Sequence, residues 1–332
     1  MPGHVVPASD PFVHTALIVD SDDTVRTRLI PYLRRSLDAQ ERVLLVVGGQ
    51  VERLVRASLG ALADRLEWGG HDTFGVRLGL AYEGLRRYLA AQHASGNPVH
   101  VITEPDVVTD AHPGSPDRAA AHLSYESACA DAYAGYDCPV TCLWDSRRHP
   151  TLVIEGVRSL HSHELTETGR VPNAAFLATT DYLAVRAEVP LEPTPPVVEL
   201  DVGLTSLDEL APLRGVLRAW AHERSFDVEA IGDLVVAVTE VATNALVHGA
   251  LPVRLRCWSH RDTLIAQVDD AGGRRIPPAA GYRHPDRAGK AGGRGLWLAR
   301  QLADVVTTHT DRSRTSVRLY FPPATTHRGP TA

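Results

Sequence analysis

ValThrGluValAlaThrAsnAlaLeuValHisGly, residues 238–249, is the stretch that decides the fold of the C-terminal half of the chain. Within it, Glu240, Asn244 and His248 recur every four residues, and steps of four rotate about 40° beyond a full helical turn. Apolar residues fill most of the remaining positions, so the sequence predicts an amphipathic helix over 228–249 with one slightly spiralling polar stripe. Taken alone, this pattern is most typical of a solvent-facing helix surface.

An Asp-x-Gly turn follows one strand pair later. Residues 253–259 and 263–270 alternate like neighbouring antiparallel strands, and the second of them ends at Asp270. The carboxylate of Asp270 is suited to accept a hydrogen bond from an adenine amino group, and Gly272 lets the backbone approach a base closely. Without other motifs beside it, Asp-Ala-Gly-Gly usually marks a simple turn.

A second glycine turn opens the next predicted helix. The loop before it, 273–292, is rich in glycine and proline and is long enough to have a function of its own. Gly293 and Gly295 then expose backbone N–H groups at a helix start, where the helix dipole favours negatively charged phosphates. Lys290 and Arg294 are expected to add phosphate contacts.

The three motifs together predict a site for ATP and Mg²⁺. Magnesium prefers oxygen ligands, which the amide of Asn244 and the phosphates would supply. Glu240, one turn earlier, is placed to orient or deprotonate an attacking hydroxyl or water. His248 is assigned to the nucleotide site, and a solvent-facing position at the helix end is its alternative. The order and spacing of three motifs are harder to obtain by chance than any single motif.

These residues resemble the ATPase domain of the GHKL superfamily, and the anti-sigma-factor serine kinase branch in particular. The resemblance covers about residues 200–322. The matching residues are Glu240 and Asn244 for the N-box, Asp270 and Gly272 for the first glycine box, and Gly293, Gly295 and Leu296 for the second glycine box.

The resemblance implies an α/β sandwich with a mixed sheet and binding of Mg-ATP. It also implies two protein partners, a sigma factor that is sequestered and an antagonist protein that is phosphorylated on serine or threonine. One position departs from the family pattern, since Arg274 stands where the first box usually has its second glycine. The departure concerns the hinge of the lid over the nucleotide and not the adenine contact.

Two other functions remain open. The chain could be a binding module in which ATP shapes the lid and capture of a partner is the only output. It could also be an atypical sensor histidine kinase, for which His222 is the candidate phosphoacceptor. Against the histidine kinase, about 30 residues separate the preceding linker from the helix at 228–249, too few for a dimerisation hairpin, and an exposed helix residue is the simpler interpretation of His222.

The N-terminal half alternates strands with helices, which predicts a parallel sheet covered on both faces. The predicted strands are 14–20, 42–49, 100–105 and 139–145, and the predicted helices are 22–38, 50–62, 119–133 and 152–163. GlyGlyGlnValGluArg follows the second strand, where a P-loop requires Gly-Lys-Ser/Thr, so this half is not expected to bind ATP.

This half resembles the MEDS sensory domain, a degenerate RecA-like fold, over about residues 12–165. The matching residues are His14, Leu17, 102–105, Glu126, 142–146, Arg158 and His161. The resemblance implies that the domain senses a small molecule.

Four residues are candidates for the sensed ligand because they lie near predicted carboxyl ends of strands, or on helices that face them, where open α/β sheets bind ligands. These candidates are Glu104, Glu126, Trp144 and Asp145. Caps at the sheet ends and a core tryptophan are the structural alternative. A metal site formed by Cys142, His161 and His163 is a weaker hypothesis.

ValProLeuGluProThrProProVal, residues 189–197, is the expected linker, because its prolines interrupt any helix or central strand. The expected domains are therefore a sensory domain at 12–188 and an ATPase domain at 198–325, and the expected fold class is α/β for both.

Composition excludes several classes of protein. The chain has 332 residues, 34 basic and 40 acidic, so its net charge of −6 disfavours direct binding of nucleic acid. No apolar run reaches the roughly 18 residues of a membrane-spanning helix, and no signal peptide is recognised. The four cysteines are expected to be reduced, partly buried thiols. A cytoplasmic signalling protein is therefore expected, and homodimer formation is left open.

Overall fold

The computed structural model describes residues 13–75, 77–107, 117–187, 189, 191–285 and 294–323. These residues cluster into two compact units. The first unit draws on 1–73, 85–106 and 129–177, and the second on 74–84, 107–128 and 178–332. The domain boundaries at 188 and 198 remain a prediction, because a packing unit and a domain of common descent need not coincide.

The first unit is built on a seven-stranded sheet with the order β3-β2-β4-β5-β1-β6-β7. Its strands are β1 (His14–Val19), β2 (Arg42–Val46), β3 (Glu67–Gly69), β4 (Val99–Thr103), β5 (Val140–Asp145), β6 (His163–Thr166) and β7 (Gly169–Pro172). Every pairing is parallel except that of β6 with β7, which closes one edge as a hairpin. The parallel sheet expected from alternating strands and helices is confirmed.

The central strands are buried because helices cover the sheet. Four fully buried residues come from four different strands: Leu17, Leu45, Ile102 and Leu143. Helix α1 (Asp22–Thr24) continues through a π turn (Val25–Leu29) into α2 (Ile30–Asp38). The next helices along the chain are α3 (Gly49–Leu59), α4 (Leu78–Ala94), α5 (Arg118–Ala132) and α6 (Thr151–Leu160). Helices α4 and α5 begin in the second unit and end in the first.

The second unit contains a five-stranded sheet with the order β11-β12-β10-β9-β8. Its strands are β8 (Leu200–Leu204), β9 (Val253–His260), β10 (Thr263–Asp270), β11 (Val305–Thr310) and β12 (Thr315–Phe321). The helices of this unit are α7 (Thr179–Ala187), α8 (Leu210–His222), α9 (Val228–His248) and α10 (Arg294–Leu302).

All pairings in this sheet are antiparallel, where the resemblance implied a mixed sheet. The reason lies in the connections. Two helices, α8 and α9, join β8 to β9, so the chain reverses three times and the neighbouring strands run in opposite directions. A single helix, α10, connects β10 to β11, so these two strands run in the same direction. They are not paired with each other, because β12 lies between them and pairs antiparallel with both. The α/β class expected for both halves is confirmed.

Helix α9 is the core helix of the second unit. The carboxylate of Asp227 caps it by accepting a hydrogen bond from the backbone N–H of Ala230 (2.8 Å). Leu234 and Val238 on its apolar face are fully buried. By length and composition α9 is the one helix, among the described residues, apolar enough to cross a membrane, but 56% of its most apolar window is buried inside the protein. Its apolar character therefore reflects a core position.

Candidate functional site

The polar stripe of α9 divides into two half-buried members and one exposed member. Glu240 and Asn244 are half-buried, whereas His248 is exposed in the last turn of the helix. Burial of a carboxylate and an amide on the same side of a core helix sets them apart from an ordinary solvated surface. This geometry separates Glu240 and Asn244 from His248, whose role in the site stays a prediction.

Gly295, in the first turn of α10, lies directly against this pair. A Cβ at Gly295 would stand 2.8 Å from Glu240 Oε2 and 2.9 Å from Asn244 Nδ2. Real Cβ atoms do not approach polar atoms so closely, so only glycine fits without displacing the pair. The N-terminus of α10 and the polar pair of α9 thus form one surface. It brings together residues assigned to the N-box and to the second glycine box, whose roles in a nucleotide site stay a prediction.

Asp270 is buried at the end of β10 and ties its turn to the end of α9. Its Oδ1 accepts hydrogen bonds from the backbone N–H groups of Gly272 (2.9 Å) and Ala250 (3.3 Å). A Cβ at Gly249 would stand 2.5 Å from Asp270 Cγ. Gly249 therefore does more than end the helix, because it makes room for the carboxylate. Sequence analysis assigned Asp270 and Gly272 to the site but gave no part to Gly249.

Arg274, the residue that departs from the family pattern, contacts the end of α9. Its Nη1 donates a hydrogen bond to the carbonyl oxygen of His248 (3.3 Å), a favourable position for a cation because the carboxyl end of a helix carries partial negative charge. The left-handed backbone conformation falls one residue earlier, on Gly273, with φ +55°. The turn thus keeps a glycine with freedom at positive φ although Arg274 replaces the second glycine.

The described part of the loop after Gly273 packs on α10. Gly281 has φ +80°, and a Cβ there would stand 3.0 Å from the backbone of Leu296. The guanidinium of the buried Arg300 donates to the carbonyl oxygen of Ala280 (3.2 Å) and lies 3.9 Å from the ring centre of Tyr282. The base of the predicted lid is therefore held by α10.

Four further residues were assigned to the nucleotide site, and the structure describes two of them. Lys290 and Gly293 lie outside the described residues. Arg294 is the first residue of α10 and is exposed, and Leu296 is half-buried against the core of the second unit. These assignments stay predictions.

In the first unit, Glu104 directly follows β4, and Asp145 is the last residue of the neighbouring strand β5. Glu104 Oε2 accepts a hydrogen bond from the N–H of Gly48 (2.8 Å), the residue that precedes α3, and its Oε1 lies 3.4 Å from Arg148 Nη1. Burial would raise the pKa of Asp145, but two hydrogen bonds from the Arg147 guanidinium outweigh it and hold that pKa below its usual range. Both carboxylates thus lie beside arginine side chains at one edge of the sheet.

The other two sensor candidates are fully buried. Trp144 is a core residue of β5, and its ring meets that of His149 edge-on at 5.0 Å. Glu126 lies on α5, with its carboxylate 4.0 Å from the ring of His122. A core tryptophan was the structural alternative at the sequence level, and the burial of Trp144 favours it.

The cysteines have no disulfide among the described residues, and all four are buried. Burial raises the pKa of the Cys138 and Cys257 thiols. The burial of the four thiols agrees with the expectation from sequence.

Comparison with known families matches both halves. The model of the MEDS family (methanogen/methylotroph, DcmR sensory domain) matches residues 13–162, and that of the histidine kinase-like ATPase domain matches residues 205–321. The N-terminal half thus matches the MEDS family model and the C-terminal half matches the histidine kinase-like ATPase model, as the sequence motifs indicated. No curated protein matches the chain.

Two solved structures illustrate the distant similarity. The RsbU and RsbW domains of a Mycobacterium tuberculosis protein align at 22% identity and TM-score 0.28, over 40% of this chain and 33% of that one. The histidine kinase domain of the E. coli osmosensor EnvZ aligns at 15% identity and TM-score 0.23, over 42% of this chain and 98% of that one.

Proposed function

We propose that the chain is an ATP-dependent protein serine/threonine kinase of the anti-sigma-factor type, governed by a small-molecule sensor domain. The observation that carries this proposal is the contact of Gly295 with Glu240 and Asn244, because it joins a carboxylate, an amide and a helix N-terminus on one surface. The partners would be a sigma factor and an antagonist protein, and the protein would act in the cytoplasm.

The residues present fit Mg-ATP. The half-buried amide of Asn244 provides the oxygen ligand that Mg²⁺ prefers, and the first turn of α10 provides backbone N–H groups for phosphates. Asp270 has its Oδ1 engaged with the backbone, which fixes the carboxylate in position for an amino group of the base. When bound, ATP supplies the phosphoryl group that is transferred.

Each side chain then has a separate role. Asn244 would hold the metal ion, and Gly295 would let the backbone of α10 reach the phosphates. Glu240 would accept the proton of the attacking hydroxyl, and its half-buried position would strengthen its interaction with that proton donor. The loop anchored by Arg300 and Tyr282 would exclude water during transfer.

A serine kinase is favoured over a histidine kinase by what precedes α9. Between the proline-rich segment and α9, the described chain forms β8, a short 3₁₀ turn (Leu207–Glu209) and α8. A phosphoacceptor hairpin needs two long helices, whereas here a single helix of 13 residues is present, and His222 lies in its last turn.

The test is incubation of the full chain with γ-labelled ATP and candidate antagonist proteins encoded nearby. Acid-stable label on an antagonist serine or threonine, lost in Glu240→Gln but kept in the matched carboxylate variant Glu229→Gln, is the expected result. Glu229 lies in the first turn of α9, far from the site. Acid-labile label on the chain itself would overturn the proposal in favour of a histidine kinase.

The second candidate is a binding module without phosphotransfer. Replacement of a family glycine by Arg274, which donates to the His248 carbonyl, favours it because this contact restrains the turn that leads into the lid. ATP-dependent capture of a partner with no label transferred to any candidate antagonist would support this function instead.

A further inference from the structure

Three side chains that can bind a metal ion meet inside the first unit. His14 opens β1, and Cys142 lies on the neighbouring parallel strand β5, opposite Ala16. His161 follows α6 directly and precedes β6, which pairs with β1 on the other side. The sheet order therefore brings together residues that lie up to 147 positions apart in the sequence (161 − 14 = 147).

The distances suit a common metal ion. His14 Nε2 lies 3.3 Å from Cys142 Sγ, and the rings of His14 and His161 are 4.0 Å apart at their centres. One donor atom from each of the three residues lies within 4.8 Å of the others. With Zn–S of ~2.3 Å and Zn–N of ~2.0 Å, a tetrahedral ion holds a sulfur and a nitrogen ligand ~3.5 Å apart. The His14–Cys142 distance is close to this value.

The orientation of His161 is set by a second contact. Its Nδ1 lies 2.7 Å from the carbonyl oxygen of Val157. A carbonyl only accepts, so Nδ1 carries the proton and Nε2 presents its lone pair. Histidines that bind metals are commonly held by such a bond from the other ring nitrogen to a backbone carbonyl.

Burial adds to the argument. His14, Cys142 and His161 are 1%, 5% and 0% exposed, although each carries a polar donor atom. Grouping two imidazoles and a thiol in a sheet core costs free energy unless the polar atoms are satisfied together.

We propose that His14, Cys142 and His161 bind a thiophilic divalent metal ion, Zn²⁺ in preference to Mg²⁺ or Ca²⁺. Sulfur and imidazole donors select Zn²⁺, whereas Mg²⁺ and Ca²⁺ require oxygen donors. Binding releases the proton of the Cys142 thiol to solvent.

The test uses the full chain, freed of metal with a chelator and titrated with Zn²⁺ or Co²⁺. The parent should bind one ion per chain, and the Co²⁺ form should show a thiolate-to-metal charge-transfer band. Cys142→Ser should abolish the band, and both Cys142→Ser and His161→Gln should weaken Zn²⁺ binding by at least about 100-fold, since even losing an outer-shell partner costs about 10–100-fold.

Two matched variants serve as controls. Cys138→Ser removes another buried thiol, which lies near the carbonyl of Leu89, and His163→Gln removes a neighbouring histidine that contacts Ser162. Both should keep full binding. A parent protein without the charge-transfer band would overturn the proposal, whether or not the variants fold, and would assign the cluster to simple hydrogen bonding. Retention of tight binding by a folded Cys142→Ser variant would also overturn it.

Discussion

Gly295 lies so close to Glu240 that a Cβ on the glycine would stand 2.8 Å from the carboxylate oxygen Oε2. Glu240 is in the middle of α9. Gly295 is in the first turn of α10, 55 positions later in the chain (295 − 240 = 55). This contact couples the proposed base to the proposed phosphate-binding turn, and the account of the site depends on it.

Replacing Gly295 with alanine is therefore expected to weaken ATP binding. The new methyl group would meet both Glu240 and Asn244, so the pair or the helix must move. Isothermal calorimetry with Mg-ATP measures the effect. Gly232→Ala is the matched control, because Gly232 lies in α9 with no atom near its Cβ position, and alanine there should stabilise the helix by up to about 1 kcal/mol. Undiminished ATP binding by Gly295→Ala would contradict the arrangement.

Asp270 has a structural role and a proposed binding role, which two substitutions separate. Asp270→Ala removes the acceptor for the N–H groups of Gly272 and Ala250 and should lower the free energy of unfolding by about 1–3 kcal/mol. Asp270→Asn keeps an acceptor oxygen and should fold like the parent, yet bind ATP about 10-fold or more weakly, since it loses a charge-assisted bond to the base. Parent-like ATP affinity in the asparagine variant would argue against an adenine contact.

Substitutions of Arg274 and Gly273 test which of the two residues gives the turn its backbone freedom. Arg274→Gly should lower stability by less than about 1 kcal/mol, because it removes one exposed contact to the end of α9, and should preserve ATP binding. Gly273→Ala should cost more, about 1–2 kcal/mol, because φ is +55° and a Cβ would stand 2.9 Å from the Arg312 carbonyl oxygen. Urea unfolding of the two variants gives the comparison, and the reverse order of stability would refute it.

His100 should make the first unit sensitive to acid. Burial, with a smaller contribution from Arg170, lowers the pKa of His100 to about 3 from its usual 6.5, while its ring bonds to Tyr32 and Thr141. The unfolded chain thus binds a proton below pH 6.5 that the folded chain does not bind. The stability that the neutral ring of His100 contributes is fully present above pH 6.5 and is lost as the pH falls toward 3.

The slope from this residue is at most about 1.4 kcal/mol per pH unit. Urea unfolding at several values between pH 7 and 5 should show a shallower dependence for His100→Gln than for the parent. His71→Gln, a change of an exposed histidine, is the control. An equal slope in parent and His100→Gln would rule out the proposed cause.

Much of the fold follows from local sequence pattern. The strands around Leu17 and Leu143 are short apolar runs, and α9 combines a cap at Asp227 with a long apolar face, so periodicity and capping predict them. Helix α4 was not predicted, because its polar and apolar residues are not separated clearly onto two faces. The antiparallel sheet of the second unit could not be derived from spacing, since it depends on the direction of each crossover.

Sites formed by distant residues were predicted less completely. The nucleotide motifs carry characteristic residues, so Glu240, Asn244 and Asp270 could be assigned to a site without knowledge of their contacts. The histidine cluster was expected to contain His163 beside Cys142, whereas the parallel pairing of β1 with β5 brings His14 to Cys142 instead. No local pattern connects a residue at the start of the chain with one in the fifth strand.

The most direct test of the account is Mg²⁺-dependent ATP binding by Asn244→Ala, measured by calorimetry against the parent and Glu229→Gln. Loss of the metal ligand should weaken binding by at least about 10-fold in the presence of Mg²⁺ and much less in its absence, since the amide acts through the ion. Glu229→Gln should match the parent. If Asn244→Ala binds Mg-ATP as tightly as the parent, the polar pair on α9 is not part of a nucleotide site.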